Sequence, residues 1–78
     1  MDAQIIRLVY PSHLLDVPII NQLIRRFDLT VNILQAQVTS QDGWVEIQLT
    51  GKAHTIEAAI TWLIESGIET QRIVNKTN

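Results

Sequence analysis

The chain has 78 residues, no cysteine and a formal net charge of −2, and 46% of its residues are hydrophobic. That length allows one domain. The missing thiols exclude disulfides, thiolate metal sites and cysteine-held iron–sulfur clusters. The six basic residues are scattered, which excludes a nucleic-acid-binding basic face, and no apolar run approaches the roughly 18 residues of a membrane span. So apolar a composition in so short a chain predicts a real core, an exposed apolar patch and self-association. Met1-Asp2-Ala3-Gln4 is acidic and polar, unlike a secretory signal, so the expected location is cytoplasmic.

Ala3 to Tyr10 alternates as a first strand, with Ile6, Leu8 and Tyr10 on one face and Ile5, Arg7 and Val9 on the other. Pro11-Ser12 ends it. Pro18 suits the first turn of a helix running to Phe27, where Ile19, Ile20, Leu23, Ile24 and Phe27 repeat at helical spacing. Thr30 to Thr39 is the second strand and Trp44 to Thr50 the third. Asp42-Gly43 between them is a hairpin signal. A two-residue turn there sets Val38 opposite Ile47 and Ala36 opposite Leu49. Strict alternation then puts Asn32, Leu34, Ala36 and Val38 on one face, with Val31 and Ile33 on the other. An apolar set that changes phase implies a β-bulge near Ile33 or a strand buried on both faces.

A second helix covers His54 to Ser66, with Ile56, Ala59, Ile60, Leu63 and Ile64 as its stripe and Gly67 just past its end. Ile68 to Val74 is a last strand, and residues 75–78 are an expected frayed tail. The order is strand, helix, strand, strand, helix, strand. It predicts an α+β, ferredoxin-like sandwich: one domain over 1–78, a four-stranded antiparallel sheet and both helices on one face. Strands one and three are expected to be central and strands two and four to be edges.

Catalytic chemistry is not legible. His13 and His54 lack partners at ligand spacing. Ser12, Ser40 and Ser66 fall in turns or at helix ends. The carboxylates are dispersed, and Gly43, Gly51 and Gly67 are too far apart for a phosphate loop. The expectation is no enzyme activity, no metal and no cofactor.

Three features remain. Trp62 falls on the side of its helix away from Ile60 and Leu63, so it is exposed, covered by a loop or part of an interface. The face opposite the helices is expected to show Ile5, Arg7, Val9, Val31, Ile33, Trp44, Glu46 and Gln48, a mixture that suits either a partly wetted sheet or pairing with another chain. Asn32 interrupts an apolar β-rich run. Its amide either bonds locally or meets the carboxylate and ammonium of a free amino acid.

Arg7-Leu8-Val9-Tyr10, the Pro18-to-Phe27 helix, Asn32-Ile33-Leu34-Gln35-Ala36-Gln37, the Gly43 hairpin, Leu49-Thr50-Gly51 and Ala58-Ala59-Ile60-Thr61-Trp62-Leu63 follow one another in an order that resembles the NIL domain. The resemblance covers nearly the whole chain. It implies an ACT-like regulatory module, often the C-terminal part of methionine-importer ATP-binding subunits, which pairs with its twin and binds methionine. Other members are fused to ferredoxin-type cluster domains. By that resemblance Asn32, Ile33 and Leu34 help form an amino-acid pocket near the dimer contact, and Asp16, Val17 and Pro18 close it. Ala36 stands where many members carry glycine. The absence of a phosphate loop and of cluster cysteines implies a free-standing module.

The expected function is therefore a non-catalytic module that dimerises and senses a small amino acid, methionine or a relative. The ligand residues are Asn32, Ile33, Leu34, Ala36, Asp16, Val17 and Pro18, and the interface residues Val31, Ile33, Trp44 and Trp62. Expected partners are a second copy, a methionine-like amino acid and a protein such as a transporter subunit; nucleic acid and membrane insertion are not expected. The alternative is a protein–protein interaction module without a small ligand, using the open sheet face or the second-strand edge.

Overall fold

A computed structural model describes residues 1–73; the expected tail, and Val74 at the end of the last strand, lie outside the described residues. The elements run β1 (Asp2–Tyr10), a single 3₁₀ turn (Ser12–Leu14), α1 (Ile19–Arg26), β2 (Thr30–Val38), β3 (Gly43–Gly51), α2 (Ala53–Glu65) and β4 (Glu69–Ile73). The sheet has the order β2-β3-β1-β4, with every neighbouring pair antiparallel. This is the expected ferredoxin-like arrangement, with β1 and β3 central and β2 and β4 at the edges.

Ile6, Leu8 and Tyr10 of β1 and Val45, Ile47 and Leu49 of β3 are buried on one sheet face. They share a single core with Ile19 and Leu23 of α1, with Ile56, Ala59, Ile60 and Leu63 of α2, and with Ile68. Burial of this apolar surface is the main force for folding. The helical stripes are narrower than the spacing suggests, because Ile24 and Ile64 are exposed. At roughly 100° per residue, each lies about 90° or more from the centre of its buried stripe.

The C-terminus of α2 closes as expected at Gly67. Its φ of +96° lets the N–H groups of Gly67 and Ile68 donate to the carbonyls of Ile64 and Leu63 at 3.0 and 3.1 Å. That is a Schellman motif, which satisfies carbonyls a helix end otherwise leaves open.

The hairpin differs from expectation. Its turn is centred on Ser40-Gln41, two residues earlier than Asp42-Gly43. Thr39 N–H donates to the Asp42 carbonyl at 2.8 Å, and the Thr39 hydroxyl donates to Asp42 Oδ1 at 2.7 Å while accepting from the Asp42 N–H at 3.0 Å. This local network makes Asp42 the closing residue of the loop. Val38 consequently faces Gly43 and Ala36 faces Val45, instead of Ile47 and Leu49.

The bulge lies at Leu34. Ile33 pairs with Ile47 and Gln35 with Glu46, leaving Leu34 as the extra residue. The half-turn in phase places Val31 and Ile33 on the helix-covered face with Ala36 and Val38, and turns Asn32, opposite Gln48, to the open face. The expected faces of Asn32, Val31 and Ile33 are therefore reversed.

Candidate functional site

β2 is the least buried element of the sheet. Of its nine residues only Val31 is partly covered, and Ile33, Leu34 and Val38 are 57%, 45% and 66% exposed. Its sequence, TVNILQAQV, holds no charge and no proline. Edge strands usually carry such residues to block pairing with other chains. The opposite edge, β4, is five residues long and carries Glu69 and Arg72. One edge is short and charged; the other is long, neutral and apolar.

On the open face, Gln35 beside the bulge donates to Glu46 Oε1 at 2.7 Å, and Arg7 Nε donates to Glu46 Oε2 at 2.9 Å. The Arg7 guanidinium also lies 4.4 Å from the centre of the Trp44 ring. The Gln35 amide and then the Arg7 guanidinium hold the Glu46 carboxyl below the usual carboxylate range. Glu46 is the buried charged residue among those described.

A cavity of about 240 Å³ opens on the other face, where the segment before α1 meets the far end of the β2–β3 hairpin. Tyr10, Leu15, Val17, Pro18, Ile19, Ile20, Asn21, Val38, Gly43 and Val45 line it. Pro18 occupies the N-cap position of α1 without a side-chain cap, and the first turn holds no acidic residue. Ile19 N–H donates to Val17 and Gln22 N–H to Pro18. The N–H groups of Ile20 and Asn21 have no acceptor among the described residues. Tyr10 is 9% exposed, and burial pushes its phenol pKa up, so it remains a hydrogen-bond donor through neutral pH. Gly43 is buried in the wall: an added Cβ would lie 3.2 Å from Leu15 Cδ2 and 3.4 Å from Val38 Cγ2.

The seven expected ligand residues do not converge within one protomer. Val17 and Pro18 line the cavity. Asp16 is exposed beside it, outside the lining. Ile33 and Ala36 share the cavity's sheet face without lining it, whereas Asn32 lies on the open face. The register separates them, because a bulge inverts the side-chain alternation on one side of it.

Of the expected interface residues, Trp62 is half-buried under its own chain. Its ring meets Phe27 edge-on at 6.1 Å, with Arg26 5.2 Å from its centre. Trp44 lies beneath Arg7, and Val31 packs on the core. Only Ile33 is largely exposed. Tyr10, Leu15, Val38 and Val45 line the same cavity as Pro18, a grouping that depends on the hairpin register and has no local signal in the sequence apart from Gly43. A glycine there matches turn chemistry and equally a place where a side chain would fill space.

The fold and this arrangement define a small α+β module with an unprotected sheet edge and an apolar hollow near its end. The sequence pattern of the NIL domain matches residues 4–72, and the chain belongs to that family. It is 32% identical to the methionine import ATP-binding protein MetN of Coxiella burnetii over 71 residues, which cover 86% of this chain and 20% of that protein. An uncharacterized protein of Synechococcus elongatus is 34% identical over 67 residues, covering 82% of this chain and 83% of that one. The crystal structure of the C-terminal domain of an ABC transporter/ATP-binding protein from Enterococcus faecalis superposes with a TM-score of 0.79 at 30% identity, covering 94% of this chain and 86% of that one. The chain thus spans about one fifth of the length of the methionine-import relatives it matches.

Proposed function

We propose that this chain is a non-catalytic regulatory module that pairs with a second copy along β2 and binds a small, methionine-like amino acid near that contact. The observation that carries this reading is the β2 edge. It is a nine-residue edge strand that bonds β3 on one side and leaves its outward-facing pairing groups open, with Ile33, Leu34 and Val38 exposed and neither charge nor proline to deter a partner. Antiparallel addition of a second β2 joins two four-stranded sheets into one and satisfies both edges. The link to methionine comes from the relatives that carry this domain, and an ATP-binding transporter subunit on the cytoplasmic side is the protein partner this reading names.

The regulation is linkage. An amino acid that binds the paired form better than the single form shifts the population toward pairs, by no more than its difference in affinity. The test is sedimentation velocity across a concentration series, with and without 5-fold steps of L-methionine, on the wild type and on Ile33→Lys. Wild-type pairs that tighten with L-methionine, together with a monomeric Ile33→Lys variant that keeps its far-UV spectrum, are the expected result. A wild type that stays monomeric at every concentration ends this reading.

A further inference from the structure

A second hollow, also of about 240 Å³, lies on the open sheet face at the hairpin end, lined by Val9, Gln37, Asp42, Gly43 and Trp44. We propose that it docks an arginine side chain carried by a basic segment of a partner protein, with the guanidinium on the Trp44 indole and the Asp42 carboxylate. This goes beyond the reading above, since it uses neither the β2 edge nor a free amino acid.

The hollow is built on one cross-strand row. Trp44 pairs with Val9 of β1 and with Gln37 of β2, and Val9 pairs in turn with Glu69 of β4. All four lie opposite in phase to the buried Tyr10 and Val45, so they share the open face. Asp42 stands at the end of this row and is held in place. Its Oδ1 accepts from the Thr39 hydroxyl at 2.7 Å, and its N–H donates back to the Thr39 oxygen at 3.0 Å. Asp42 forms no ion pair with any described residue. The hollow thus combines a half-buried indole, a positioned carboxylate and the hydrocarbon of Val9.

Arg7 shows what this combination accepts. Its guanidinium lies 4.4 Å from the centre of the Trp44 ring, while its Nε donates to the Glu46 carboxylate at 2.9 Å. An indole and a carboxylate therefore already hold one guanidinium on this face, in the neighbouring row. Arg7 does not line the hollow, so the same pair of groups recurs there without a cation. A guanidinium suits it because the planar group stacks on aromatic rings and presents its N–H donors edge-on to a carboxylate. Its aliphatic stem can cover Val9.

The wider charge pattern favours the same occupant. Tyr10 faces Gly43, Val9 faces Glu69, and Leu14 lies against Gly67 just past α2. These contacts bring the exposed Asp16, Asp42, Glu65 and Glu69 to the hairpin end. Of the described arginines and lysines, Arg7 and Arg72 are ion-paired, whereas Arg25 and Arg26 end α1 and Lys52 follows β3 at the opposite end. His13 is the one basic side chain at the hairpin end among the described residues. A basic segment is steered to such an end, and an anionic surface is repelled from it. Pairing along β2 extends the sheet sideways and leaves this face uncovered.

The experiment is a titration of the full chain followed by nitrogen–proton correlation spectra. The probes are an acetylated and amidated peptide of Gly-Arg repeats and its analogues with citrulline, which is neutral and of the same shape, and with lysine. The two tryptophans give two indole N–H signals, which Trp44→Leu assigns. Expected are a saturable shift of the Trp44 indole with the Trp62 indole unmoved, and about tenfold weaker binding of the citrulline peptide. The lysine peptide should also bind more weakly. Asp42→Asn keeps an oxygen for Thr39 and should weaken the arginine peptide about threefold, and Trp44→Leu should abolish the shifts of the Gln37 and Gly43 amides. Equal movement of both indoles would mean general attraction to an acidic protein and overturns the site. So do full binding by Asp42→Asn, equal binding of the lysine or citrulline peptide, and no shift at millimolar peptide. Thermal melts of both variants separate lost docking from lost folding.

Discussion

Two glycines of this chain act for opposite physical reasons. Gly67 is required by backbone conformation: its φ of +96° is one an L side chain rarely adopts. Gly67→Ala should therefore lower stability by about 1 kcal/mol, measured as a shift in the urea midpoint at unchanged m-value. Gly43 has no such conformation and is set by space, between Leu15 and Val38. The first role was legible, because a glycine following a helical stripe marks the helix end. The second was not, because Asp-Gly between two β patterns matches a tight turn equally well, and only the Thr39–Asp42 hydrogen bonds decide against that turn.

At the scale of elements, β2 is where local pattern and final placement part. Its bulge lets Val31, Ile33, Ala36 and Val38 all face the helix side despite their broken spacing. Leu34 is the residue that absorbs the mismatch. A chain lacking Leu34 should keep its fold, with a melting midpoint within a few degrees of wild type, because every remaining pair keeps its partner and its face. A collapse of the near-UV spectrum in that variant would contradict the assigned register. Glu46 ties the bulge to the centre of the sheet through Gln35 and Arg7. Its carboxyl pKa is lowered in the folded chain. The stabilisation is therefore complete above the ordinary carboxylate value of about 4.3 and is lost as the pH falls through the lower folded value. Melting temperature should be level from pH 7 to about 5 and drop below about 4, and Glu46→Gln should flatten that acid slope. The bulge was legible as a change of phase within one strand. Which face Asn32 took was not, because a shift of one residue reverses every side chain beyond it.

For the whole molecule, the two sheet edges differ in length, charge and apolar content. Because β2 carries no charge, pairing along it should be insensitive to screening. Raising salt from about 0.05 to 0.5 M, which shortens the Debye length from over 10 Å to under 5 Å, should leave the dissociation constant unchanged or slightly tighter in sedimentation equilibrium. A tenfold loosening would mean that charged groups, such as Glu69 and Arg72 on β4, form the contact instead.

The sequence by itself determined the six main elements, their order, the ferredoxin-like sheet and the family, because these follow from hydrophobic period and from residues that restrict the backbone locally. Only the tertiary structure decided the hairpin register, the face of Asn32, the cover over Trp62 and the meeting of Tyr10 with the start of α1. Each of those depends on which distant strand or helix supplies the neighbour. A local pattern records that a side chain must be buried or paired; it does not record against what.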